Sequence, residues 1–247
     1  MRLTVLGSGD AFSGSGCNAA YLVDKEAVVD CGAPVHALVR RLAVAVTDIR
    51  LILLTHFHAD HSFMLPMVLG ACAFGKSPVE PGLIIAGPPG IREFSYRLLR
   101  DGYGAHILGL IESLVQPVYV ALQDGSDENL DGYRVRAHAV VHSTGPSLAY
   151  TLTDAANTTI GFSGDSTLCP GLERAVAASD CFVSECTGWD GPVAGGHMWR
   201  EEVEGLIRTY PDTAFVISHL TERRELRGAI VAHDLLTLDI APRAGAG

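Results

Sequence analysis

The sequence is short of positive charge. Across 247 residues, 18 lysines and arginines face 28 aspartates and glutamates, a net charge of −10. That balance disfavours broad, sequence-independent binding to DNA or RNA, which needs a basic face. Charge of either sign is scarce too, at 19%, while 48% of residues are hydrophobic. Such a chain is not disordered and can bury one sizeable core, or at most two small ones. Its six cysteines, Cys17, Cys31, Cys72, Cys169, Cys181 and Cys186, include no CxxC pair, which removes a thioredoxin-like motif and a zinc ribbon. The longest apolar stretch, FMLPMVLGACAFG, is too short to span a bilayer and contains a proline. The opening MRLTVLGSGD lacks the apolar core of a signal peptide. The expectation is a cytoplasmic protein with reduced cysteines and no membrane partner. No Pro/Ser-rich linker, low-complexity tract or short repeat interrupts it, so residues 1–247 read as one domain.

What is present is a succession of short apolar runs separated by helical patterns. Strands are expected at 2–7, 19–24, 27–32, 49–55 and 82–87, then at 116–122, 133–142, 147–153, 158–164, 181–186, 213–219 and 235–240. Helices fit 34–44, with proline at the start, 62–74, 89–100, 101–116, 170–178 and 199–210, with a further short helix before the last strand. Two successive β-rich halves with flanking helices predict an α/β fold in which two sheets pack together and helices cover the outside.

The densest chemistry follows the apolar run LILL. THFHADH (55–61) places His56, His58, Asp60 and His61 on the loop beyond a strand's carboxyl end, where sites of layered α/β proteins gather. His56 and His58 project to one side of an extended segment, whereas Asp60 and His61 follow the turn into a helix. Imidazoles and carboxylates suit zinc, and also manganese or iron. Bound cations would relieve the cost of clustering such groups. A merely histidine-rich surface loop is the bland alternative. Three other strand ends carry metal-competent residues: His142, Asp165 and His219.

Together, LGSGDAF, VVDCG, LLTHFHADH and the His, Asp and His strand ends resemble the metallo-β-lactamase superfamily. LGSGDAF, IIAGPPGIREF and SECTGWDGPVAGGHM look most like its ribonuclease Z-like phosphodiesterase branch. The resemblance implies a four-layer αββα sandwich and two divalent metal ions, zinc foremost. His56, His58 and His142 would bind one ion, Asp60, His61 and His219 the other, and Asp165 would bridge them. Asp30 in VVDCG would orient the histidine loop. His138, on the strand face of His142, is the alternative to it. His233 in VAHDLL is a candidate for lining the pocket, and His36 and His106 read as ordinary helical residues. The glycines of GSGDAFSGSG lack GK[ST] and do not fit GxGxxG, so they read as a tight loop beside the site. Cys181 and Cys186 read as core.

Two metals a few ångströms apart can hold a nucleophilic hydroxide and neutralise charge at phosphorus. His197, in GGHM, is then the candidate proton donor to the leaving oxygen, with Glu185 fixing its imidazole. These two and Asp60 are the expected catalytic residues. The expected substrate is a small, even cyclic, phosphodiester. Precursor tRNA is disfavoured, because the long arm with which ribonuclease Z grips tRNA has no room in residues 143–164. A homodimer is compatible with this reading. Hydrolysis of a lactone, thioester or β-lactam, and a non-catalytic metal-bound sensing role, are the competing expectations.

Overall fold

The protein is described here by a computed structural model covering residues 1–12, 14–76 and 80–243. Ser13 in the glycine-rich stretch, and the end of the 1–247 span, lie outside the described residues. The chain opens with β1 (Arg2–Gly7), β2 (Ala20–Val23) and β3 (Ala27–Val29), each antiparallel to the one before. Helix α1 (Val35–Arg41) leads to β4 (Leu51–Leu53), and a single helical turn, α2 (Ala59–Ser62), precedes α3 (Leu65–Phe74). Strand β5 (Ile84–Gly87), helix α4 (Ile91–Val115) and β6 (Val118–Ala121) follow. From β3 to β6 the pairing is parallel.

The second half repeats this plan. Strands β7 (Asp127–Leu130), β8 (Tyr133–Val140), β9 (Ser147–Thr153) and β10 (Thr159–Phe162) are antiparallel. Helix α5 (Pro170–Ala177), β11 (Cys181–Glu185), α6 (Arg200–Thr209), β12 (Ala214–Ser218) and β13 (Ala229–Val231) continue it, with β10 to β13 parallel. The last strand, β14 (Thr237–Asp239), crosses back to pair with β1. The sheets are thus β14-β1-β2-β3-β4-β5-β6 and β13-β12-β11-β10-β9-β8-β7.

Strand alternation sorts the apolar side chains into three cores. Leu51 and Leu53 of β4 point between the sheets, against Val135, Tyr150, Phe162 and Val183 of the second sheet. Their neighbours Ile52 and Leu54 point the other way, to Leu38, Leu69, Phe94 and Ile111 of α1, α3 and α4. On the far side, Phe182 and Phe215 meet Leu172 of α5 and Val203 and Leu206 of α6. Helix, sheet, sheet and helix are therefore stacked in four layers, as expected from the sequence. Cys181 and Cys186 are buried in these cores.

Several details differ from expectation, among them β13, which was not expected as a strand. The short helix expected before the last strand is absent among the described residues. Residues 221–228 are irregular, with bends at 221–222 and a turn at 227–228, because TERRELRG alternates charges without an apolar stripe. The two helices expected over 89–116 are present within Ile91–Val115, but they break at the non-helical Gly104 (φ 78°, ψ 166°) and not between residues 100 and 101. Strand β7 was not expected, since DENL has no apolar alternation. It is an edge strand held by Asp127, which accepts from Arg134 and Arg136 of β8 at 2.7 and 3.1 Å.

Candidate metal centre

The carboxyl ends of β4, β10 and β12, and the segment after β8, converge at one edge of the sandwich. The loop after β4 delivers His56 and His58, and Asp60 and His61 lie in α2. Gly32, in VVDCG, makes this possible. A Cβ there would collide with the Asp60 carbonyl, so only glycine lets the post-β3 loop lie against the histidine loop. Two key residues hold left-handed backbones despite their side chains, Asp30 at φ 59° and His219 at φ 54°. Such strain gathers where the surroundings fix a functional group.

The seven candidate ligands expected from the sequence fall into two groups that share Asp165. Asp165 Oδ2 faces His56 Nε2 at 3.7 Å and His142 Nε2 at 3.8 Å, with His58 Nδ1 3.0 Å from His142 Nε2. Its other oxygen, Oδ1, faces His61 Nε2 at 3.2 Å and His219 Nε2 at 3.4 Å. Asp60 Oδ2 completes the second group, 3.2 Å from His219 Nε2 and 3.5 Å from His61 Nε2. Two ligands each about 2.1 Å from a tetrahedral cation stand roughly 3.4 Å apart, so these spacings suit one divalent ion per group. His56 Nε2, His61 Nε2 and Asp165 Oδ1 are buried and lack hydrogen-bond partners, as atoms reserved for a cation would be.

The imidazoles are held from behind. Asp30 accepts His61 Nδ1–H at 2.8 Å, and its carboxylate also takes the Thr55 N–H and hydroxyl. This is the orienting role the resemblance implied. The Gly196 carbonyl accepts His142 Nδ1–H at 3.0 Å, from a left-handed glycine in GGHM. Thr55 Oγ1 lies 3.1 Å from His56 Nδ1, and Thr187 Oγ1 lies 2.9 Å from His219 Nδ1. These contacts leave the Nε2 lone pairs of His56, His61, His142 and His219 for the centre.

The electrostatics agree. Burial, with His61 nearby, drives His56 well below the ordinary imidazole range, which keeps it neutral and able to ligate. Burial also opposes charge on His61 and His219, yet Asp165 with Asp30, and Asp165 with Asp60, raise both. The carboxylates thus favour positive charge at the position between them, where a cation fits.

Beside this centre, His197 Nδ1 lies 3.1 Å from Glu185 Oε1, which also accepts the Ser166 N–H at 2.8 Å. Burial works against the charged imidazole, but the hydrogen bond and charge of Glu185, with Asp165, raise it to about 9. The centre opens into a cleft of about 440 Å³. Ala11 and Phe12 of the glycine-rich loop form one wall and Ala194 and Gly195 another, and no lysine or arginine lines it among the described residues.

Other histidines stand apart. His138 is on β8 beside Arg174 and Asp124, outside both groups, which leaves the place at the centre to His142. His233 lines a separate groove with Arg223 and Arg224 and not the cleft. Its neighbour Asp234 matters more. It accepts Ser8 N–H, Ser8 Oγ–H and Cys17 N–H at 3.1, 2.9 and 2.8 Å and so clasps both ends of the glycine-rich loop. Asp234, Thr55 and Thr187 were not singled out from the sequence. Each sits directly beside a residue or motif that was, in VAHDLL, THFHADH and SECT.

No helix among the described residues is long and apolar enough to cross a membrane. The chain is 31% identical over 159 residues to ribonuclease Z of Methanosarcina acetivorans, an alignment covering 62% of this chain and 48% of that relative. The chain therefore spans about half the length of that relative. The structure superposes on human tRNase Z, short form, with a TM-score of 0.76 at 21% identity, covering 98% of this chain and 100% of that one. The metallo-β-lactamase fold protein YhfI of Bacillus subtilis gives a TM-score of 0.76 at 17% identity, over 96% and 98% of the two chains. Residues 1–204 match the family described as Anti-Pycsar protein Apyc1. The chain belongs to that family, and with it to the ribonuclease Z-like members of the metallo-β-lactamase superfamily.

Proposed function

We propose that the protein is a dinuclear-metal phosphodiesterase that hydrolyses a small, single-charge phosphodiester, a cyclic one included. The observation that carries this reading is Asp165, whose two oxygens each face a separate group of imidazoles. Two divalent cations, zinc foremost, would be held by His56, His58, His142 and Asp165 and by Asp60, His61, His219 and Asp165. When bound, they supply Lewis acidity that activates water and offsets charge on the oxygens of phosphorus.

The chain's own residues do the rest. Glu185 holds the Nδ1–H of His197, so Nε2 is the atom available to give a proton to the leaving oxygen. The raised His197 imidazole is charged at neutral pH, which that donation needs. Asp60 and Asp165 fix negative charge opposite the imidazoles, and Ala11, Phe12 and Ala194 give the cleft apolar walls. The ribonuclease Z relationship supports phosphodiester chemistry over the hydrolysis of carboxylic derivatives.

The size of the substrate follows from the walls. A cleft without lysine or arginine offers no track for a polyanion, and a net charge of −10 repels one. Between His142 and Asp165 the chain forms only β9, β10 and their turns, with no arm. Purified enzyme offered precursor tRNA and a panel of small cyclic and linear phosphodiesters should cleave the small substrates. Efficient cleavage of the tRNA at its 3′ trailer, with the small substrates untouched, would overturn this reading.

A further inference from the structure

Thr187 lies in SECT, two residues after Glu185, and its side chain meets two parts of the site at once. Its Oγ1 is 2.7 Å from Glu185 Oε2 and 2.9 Å from His219 Nδ1. A hydroxyl has one hydrogen to give. An ionised carboxylate only accepts, so the hydrogen goes to Glu185, and the hydroxyl oxygen is left to accept the Nδ1–H of His219. This fixes the tautomer of His219 and leaves Nε2 as the lone-pair atom, 3.2 Å from Asp60 and 3.4 Å from Asp165. At the other end of the chain of bonds, Glu185 Oε1 takes the Nδ1–H of His197. Thr187, Glu185 and His219 are buried, at 8%, 2% and 3% exposure.

From this geometry we infer that Thr187 is a positioning residue that joins the second cation's ligand His219 to the proton-donating pair Glu185–His197. The inference rests on the proposed function and adds a link within it. The other imidazoles around Asp165 have local holders. His61 has Asp30, His142 has the Gly196 carbonyl, and His56 has Thr55. None of those holders touches Glu185. Thr187 alone among the described holders serves both the cation site and the donor, so losing its hydroxyl should disturb both together.

Burial makes the effect specific to the hydroxyl. Valine is close in shape to threonine but can neither donate nor accept. With it, Glu185 Oε2 loses its 2.7 Å partner and His219 Nδ1–H is left without an acceptor in a dry environment. Serine keeps the hydroxyl and loses only a methyl group.

The test has two readouts, one independent of turnover. Zinc binding to metal-depleted protein is followed by competition with a chromophoric chelator. Hydrolysis is compared between a p-nitrophenyl phosphodiester and an alkyl phosphodiester whose leaving group needs a proton. Thr187→Val should weaken one of the two zinc-binding steps by about 10- to 100-fold, the usual effect of removing a partner behind a ligand. It should also lower kcat more for the alkyl substrate than for the p-nitrophenyl one, and Thr187→Ser should restore both. A wild-type protein that binds two zinc ions and hydrolyses both substrates, beside a Thr187→Val variant matching it in affinity and leaving-group ratio, would overturn the link alone. A valine variant whose losses serine does not restore would also overturn it, as a packing effect. Wild-type protein that takes up no metal would remove the proposed function and the link with it.

Discussion

The two halves of the centre are built differently. Both halves border the cleft, the first (His56, His58 and His142) through His58 and His142 and the second through Asp60 and His219. In the first half, His56 and His142 are held directly by neutral groups, the Thr55 hydroxyl and the Gly196 carbonyl. The half made by Asp60, His61 and His219 brings a second carboxylate beside Asp165. Burial does not separate the halves: His61 and His219 are 2% and 3% exposed, and His56 is 0% exposed. A carboxylate stands directly behind His61, whereas His219 and His56 each reach one only through a hydroxyl, that of Thr187 and that of Thr55. A carboxylate behind an imidazole makes it a stronger ligand, and extra negative charge in a buried place strengthens cation binding. The second half, with two carboxylates among its ligands, should therefore fill first and hold its ion more tightly.

The most severe way to break this comparison is to remove what the halves share. Asp165→Ala should leave neither half able to hold its ion tightly and reduce hydrolysis to background, as elemental analysis and a turnover assay would record. Next comes the donor pair. His197→Ala or Glu185→Gln should cut turnover of an alkyl phosphodiester by about 10²- to 10⁴-fold; His197→Ala should leave metal content unchanged, while Glu185→Gln should also loosen the second half's ion through Thr187 and His219. The double variant should be little worse than the worse single one. A full-rate His197→Ala enzyme on that substrate would remove the proposed donor.

A finer probe separates the halves. Asp30→Asn should weaken the tighter binding step by about 10- to 100-fold and move the weaker one less, since Asp30 reaches His56 only through Thr55, measurable by stepwise zinc titration. Equal weakening of both steps would erase the distinction drawn here. The smallest effect belongs to the histidines outside the centre. His138→Ala and His233→Ala should leave metal stoichiometry and turnover as in the unsubstituted protein. Loss of one zinc equivalent in His138→Ala would shift the ligand from His142.

How much of this was legible in the sequence depended on locality. His56, His58, Asp60 and His61 stand within one short motif, so their spacing alone pointed to paired ligands. His142, Asp165 and His219 lie far apart and were found because each follows an apolar strand. The layered fold was readable from strands such as β1 and β9, whose apolar runs mark their ends closely. Strand β7 was not, because DENL is held by cross-strand arginines and buries only its last residue. The side chains behind the imidazoles were hardest to see. Nothing in SECT says that Thr187 reaches both Glu185 and His219, because that meeting is created by β11 and β12 lying side by side. Asp30 was visible only through the resemblance of VVDCG to a family motif. The groups that hold the imidazoles from behind are therefore the ones that local pattern reveals least.

The most direct test of the central claim is a titration of metal-depleted protein with zinc or manganese, reading bound metal and hydrolysis of bis(p-nitrophenyl) phosphate on the same samples. The account predicts two binding steps of unequal affinity, a plateau at two ions per chain, and hydrolysis that rises as the second, weaker ion binds. Hydrolysis that is complete with one ion, that persists in metal-free protein, or that never appears at saturating metal would contradict it.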